Sequence, residues 1–161
     1  MAVERHVIRP PLNRIWPSNL LAVPDSEFAV SLARDIKREL GKHASPQELA
    51  AALGCTVVFK AMTGRFGALL WPSEGNRFSL ICDTRAVRDN DDATPQGFRI
   101  AHETAHTMFY NRSGDQPYVV VERPYYGIGT PGIEEFCDTF ASELTGLQRE
   151  VFKPKLIDEL L

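Results

Sequence analysis

The most constraining feature of this 161-residue chain is the pentapeptide His102-Glu103-Thr104-Ala105-His106. On an α-helix, residues four apart differ by only about 40° around the axis, so both imidazoles leave the same face one turn apart. Two neutral imidazoles placed that way can share one Zn²⁺. Glu103 flanks the pair and can receive a proton from a water held at the ion without ligating it. Phe98 to Ala101 contain no proline or glycine, so a helix through the motif is expected. Such a site is incomplete without a third ligand from a separate element, so the fold must bring a second element to this helix.

Glu134-Glu135-Phe136-Cys137-Asp138 supplies that element. Glu134 and Asp138 are one helical turn apart on one face: Glu134 is the expected third ligand, and Asp138 the acceptor for the far N–H of a ligand imidazole. Glu135 points about 100° away and reads as solvent-facing. Phe136, Phe140 and Leu144 form an i, i+4, i+8 stripe expected in the core.

The rest of the chain predicts an α+β domain. Residues 1–23, with Pro10, Pro11 and Pro17, read as an irregular N-terminal arm, and residues 24–161 as a single domain. Pro24-Asp25-Ser26 starts a first helix with Phe28, Leu32, Ile36 and Leu40 on one stripe and Gly41 at its end. Ser45-Pro46-Gln47-Glu48 is a capping box for a second, closed by Gly54. Cys55–Lys60, Phe66–Trp71 and Arg77–Cys82 are β-branched and aromatic; with turn chemistry at Pro72 to Asn76 they predict a small, mainly antiparallel three-stranded sheet. The motif helix is expected from Thr94 or Pro95 to about Tyr110. A long loop over 111–132 follows, then a last helix from Thr130-Pro131 to about Thr145.

Composition excludes several classes. With 43% hydrophobic and 24% charged residues the chain can bury one core. No apolar run reaches the ~20 residues of a membrane span, and the first sixteen residues lack the apolar stretch of a secretory signal. Cys55, Cys82 and Cys137 are too few and scattered for a disulfide framework, so a cytoplasmic setting is expected. The net charge of −3 speaks against a dedicated nucleic-acid binder. Residues 100–161 are the acidic part, with 5 Lys/Arg against 10 Asp/Glu.

IAHETAHTMF followed by EEFCDTFASEL resembles the ImmA/IrrE-type metallopeptidases, whose usual pattern is roughly FtlAHElgH and, some thirty residues on, ExEANxFAaeLL. Phe98 and Ala101 match around the first block, and Glu134, Phe140, Ala141, Glu143 and Leu144 the second; the resemblance covers about residues 25–146. Thr104-Ala105 replaces the usual Leu-Gly, Cys137-Asp138 replaces Ala-Asn, and Thr145-Gly146-Leu147 replaces Leu-Met-Pro. Asp138 makes the second helix read E-x-x-x-D, as in thermolysin-like zinc peptidases. The resemblance implies a zincin-like minimal metallopeptidase of narrow specificity. Its substrate would be a partner protein, a separate helix-turn-helix repressor whose cleavage switches on stress, mobile-element or defence genes.

On this reading Zn²⁺ is held by His102, His106 and Glu134, and Glu103 is the catalytic base. Tyr110, Tyr118, Tyr125 and Tyr126 are all candidates for steadying the oxyanion, with no ground for choosing among them. The strand Arg77–Cys82 is expected to offer an edge for a substrate peptide. Cys82 or Cys137 is a possible regulatory thiol that silences the site by occupying the metal. Arg77, Arg85, Arg88 and Arg99 form a weak candidate phosphate patch among several aspartates, which leaves a regulatory nucleic-acid ligand open. His6 and His43 are remote and enter no site. Two rivals stand beside the peptidase: a non-catalytic, zinc-stabilised module that binds and inactivates a repressor, and a peptide deformylase. For the deformylase, both the GLAAPQ and the EGCLS blocks are missing.

Overall fold

The computed structural model describes residues 8–41, 45–61, 68–73, 76–84, 95–113, 117–120 and 131–148. His6, His43, Arg85, Arg88, Tyr125 and Tyr126 therefore lie outside the described residues. Helix α1 spans Ser26–Leu40, α2 Pro46–Ala52, α3 Gln96–Ala105 and α4 Pro131–Thr145. Strands β1 (Cys55–Lys60), β2 (Ala68–Ser73) and β3 (Arg77–Asp83) form one sheet, and β4 (Tyr110–Asn111) pairs with β5 (Tyr118–Val119). The fold is α+β, with four α-helices and a three-stranded mixed sheet among the described residues.

Local chemistry sets the helix ends. The Asp25 carboxylate accepts from the Phe28 N–H, and the Ser45 hydroxyl from the Glu48 N–H, so each caps an otherwise orphaned donor. Gly41 and Gly146 end α1 and α4 at φ +71°, a conformation costly for a residue with a Cβ.

The sheet corrects the expectation of a mainly antiparallel arrangement. Its order is β1-β3-β2, with β2 antiparallel but β1 parallel to β3. Pro72 lies inside β2, opposite Phe78, rather than in the turn. Proline has no N–H for a ladder, so β2 suits an edge and the apolar β3 takes the centre. Phe78, Leu80 and Cys82 alternate inward along β3. Because β3 has a neighbour on each side, it offers no free edge to a substrate; the edges are β1 and β2.

Helix α3 lies between two apolar clusters. Phe98, Ala101, Ala105, Met108 and Phe109 join the helix-side core with Leu32 and Ile36 of α1 and Phe136 and Phe140 of α4. Ile100 instead joins the sheet-side core with Leu80 and Phe78. Fully burying side chains of this size contributes ~1.5–3 kcal/mol each, which fixes α3 between its neighbours. The helix is shorter than expected: after Ala105 the chain tightens into a 3₁₀ turn, His106–Phe109, and Tyr110 enters β4. The hairpin of β4 and β5 falls where a loop was expected.

The described part of the N-terminal arm is docked. Residues Leu12–Arg14 form a 3₁₀ turn, with Leu12 and Trp16 buried in the helix-side core. The N–H groups of Asn19 and Leu20 donate to the carbonyls of Tyr110 and Met108.

Candidate metal centre

The two motif histidines emerge from the last turn of α3 and the first of the 3₁₀ segment, and both are buried. Across from them stands the first turn of α4, carrying Glu134. The Nε2 atoms of His102 and His106 are 3.2 Å apart. Glu134 Oε2 lies 3.0 Å from His102 Nε2, and Oε1 lies 3.3 Å from His106 Nε2. Among the described residues these three form the set of potential ligand atoms that gathers within 4.8 Å.

Three observations fit this set to a metal ion. A tetrahedral Zn²⁺ with bonds of ~2.0–2.1 Å holds its ligand atoms ~3.3 Å apart, close to the spacing seen. The donor set, two imidazoles and a carboxylate, is one zinc accepts. The protonation pattern needs a cation. His102 Nδ1 lies 2.8 Å from Asp138 Oδ1, which favours the proton on Nδ1 and leaves a bare lone pair on Nε2. That lone pair faces a carboxylate oxygen, two acceptors 3.0 Å apart that a shared proton or a metal ion would reconcile.

In the absence of a metal the charge is shared differently. Burial alone would push the His102 ring down, but contacts with Asp138 and Glu134 and the nearby Glu103 charge outweigh it and raise its pKa from 6.5 to about 9. For Glu134, burial works upward, and hydrogen bonds from His102 and His106 pull the carboxyl well below its usual range. Glu103 Oε1 is 3.9 Å from His102 Nε2, beside the ligand set rather than in it. With 19% of its side chain exposed, and 43% of that of Glu134, the centre is open to solvent on its carboxylate side.

The structure thus brings His102, His106, Glu134, Glu103 and Asp138 together. The other sequence candidates have surroundings of their own. Tyr110 is buried edge-on against Phe78, 5.1 Å between ring centres, because the helix ends before it can share the histidine face. The Tyr118 hydroxyl accepts from the Asn111 amide on the β4–β5 hairpin. Cys137 is fully buried in the helix-side core and Cys82 in the sheet-side core. Burial, then the Glu103 charge, push the Cys82 thiol up to about 12, with Arg99 opposing. Arg99 is itself buried and cannot belong to a surface phosphate patch; Arg77 is exposed.

Sequence reasoning missed Trp16, Thr107 and Arg112. Trp16 Nε1 donates to the Thr107 hydroxyl at 3.1 Å, from ninety-one residues away. The Arg112 guanidinium lies 4.7 Å over the Phe78 ring and is buried. None of the three had a local signal; all are isolated residues outside any periodic pattern.

No protein-family model, no curated protein and no solved structure matches the chain. No helix among the described residues is long and apolar enough to cross a membrane.

Proposed function

We propose that the protein is a zinc-dependent endopeptidase with a zincin-like arrangement of its two ligand helices. The observation that carries this reading is the convergence of His102, His106 and Glu134 with Glu103 alongside, open on one side. When bound, zinc supplies Lewis acidity and a water acidic enough to ionise near neutral pH. His102 and His106 would hold the ion as neutral rings, with Asp138 orienting His102 through Nδ1. Glu103 accepts the proton from the attacking water and returns it to the leaving amine. A substrate chain that adds as a strand has β1 and β2 as edges to join.

The substrate we assign is a partner protein, a separate helix-turn-helix repressor in the cytoplasm. The support is the likeness of the two helical blocks to ImmA/IrrE-type peptidases. The test is direct. Purified protein with one equivalent of zinc is incubated with any helix-turn-helix repressor that an adjacent reading frame encodes, beside a Glu103→Gln variant. Cleavage by the wild type alone supports the peptidase. Binding of the repressor by both proteins, with cutting by neither, sinks it in favour of the non-catalytic module.

A further inference from the structure

The metal centre depends on how far apart α3 and α4 are held, and an element from outside both helices bridges them. Trp16 is 5% exposed, in the docked N-terminal segment. Its indole N–H donates to Thr107 Oγ1 at 3.1 Å, and that hydroxyl in turn donates to the Thr104 carbonyl at 2.7 Å. Thr107 directly follows the ligand His106. The other face of the contact is α4: the Trp16 and Phe140 rings meet edge to face, 5.5 Å between centres at 80°. Phe140 is fully buried and lies on the helix that carries Glu134 and Asp138.

His106 stands where α3 gives way to 3₁₀ geometry. Hydrogen bonds there are poorer than in an α-helix, so the local backbone holds its residues less firmly. An anchor on Thr107 restrains that turn, and the same indole packed on Phe140 sets its distance from α4. The segment is tied down on both flanks of Trp16. The Arg9 N–H donates to the Ala52 carbonyl, and the Leu20 N–H to the Met108 carbonyl.

We propose that Trp16 is a positioning residue for the metal centre, its indole fixing His106, in the 3₁₀ turn after α3, against the Glu134-bearing helix through Thr107 and Phe140. The proposal rests on the metal reading of His102, His106 and Glu134 and adds to it a determinant from the N-terminal segment.

The experiment measures zinc affinity by chelator competition, and melting temperature with and without saturating zinc, on the full chain. Trp16→Phe keeps a ring and removes the N–H; Thr107→Val removes the hydroxyl at equal size; Thr107→Ser restores it. Each of the first two is expected to weaken zinc binding about tenfold, the low end for groups that orient ligands, and Thr107→Ser to bind as the wild type. The double variant should weaken it no more than Thr107→Val alone, since that variant already removes the indole–hydroxyl bond together with the hydroxyl's bond to Thr104. By linkage the zinc-loaded variants should lose more melting temperature than the zinc-free ones. Unchanged zinc affinity with equal melting losses in both forms would leave Trp16 a packing residue and overturn the proposal. A wild type that takes up no zinc overturns the metal reading itself, a result distinct from the first.

Discussion

His102 and Asp138 face each other with Nδ1 and Oδ1 2.8 Å apart, while the opposite ring nitrogen points at Glu134. One imidazole is thus met from behind by the same helix that sets the Glu134 carboxylate in front of it. Removing the rear contact while keeping all three ligands tests its role. Asp138→Ala is expected to weaken zinc binding by roughly 10–100-fold, as for other groups that orient a ligand imidazole. Titration against a chromophoric chelator measures it, and an unchanged affinity would show that the ring is held by packing alone.

The raised His102 pKa gives a pH signature. In the metal-free protein its contribution to stability is full below the ordinary value of 6.5 and is lost as pH rises through about 9. Glu134 works the other way: its depressed pKa contributes above the ordinary 4.5 and is lost as pH falls below it. Metal-free protein should therefore be most stable between these limits and melt progressively lower toward pH 9. Zinc has to displace the His102 proton, so its affinity should rise over the same interval, by roughly tenfold per pH unit below the folded pKa. Melting curves and zinc titrations at matched pH values check the opposite slopes; parallel slopes contradict the protonation scheme.

The cysteines should be inert. Cys55, Cys82 and Cys137 are all buried, and none is in a disulfide. Burial also pushes the Cys55 thiol up to about 12, with Arg112 opposing. Native protein is expected to react with a thiol reagent only on unfolding, and Cys82→Ser and Cys137→Ser to bind one zinc as the wild type does. Fast labelling of the folded protein, blocked by zinc, would support a regulatory thiol.

Arg112 makes an unusual buried cation. Burial lowers its pKa to about 10, and none of its side-chain nitrogens finds a hydrogen-bond acceptor among the described residues. Its contact with the Phe78 ring offsets part of the desolvation, by ~2 kcal/mol for a buried pair. Arg112→Met keeps much of the volume and removes the charge, so urea unfolding should show stability equal to the wild type or higher by ~1–2 kcal/mol. Phe78→Ala in the same place should cost ~3–5 kcal/mol. A large loss in Arg112→Met would mean that the guanidinium is bonded after all.

How much of this was legible beforehand follows from the range of each interaction. The caps at Asp25 and Ser45, the glycine stops and the i, i+4 pairs His102–His106 and Glu134–Asp138 lie within a turn of helix, so the local residues determine them. The candidate site was readable for that reason: once two helices form, the candidate side chains on each are already aligned. Strand order was half legible. The β2–β3 hairpin is local, but β1 joins β3 across intervening chain, and only the missing N–H of Pro72 hinted that β2 belongs at an edge.

What the residues determined by themselves is therefore the set of elements and the chemistry each one carries. Tertiary structure alone decided that Tyr110 turns into the sheet core, that Cys82 and Arg99 are buried, and that Trp16 reaches Thr107. The physical reason is distance along the chain. A cap or a helical pair acts through bonds spanning three or four residues, whereas burial and long-range hydrogen bonds depend on which distant surfaces meet, and no local pattern encodes that.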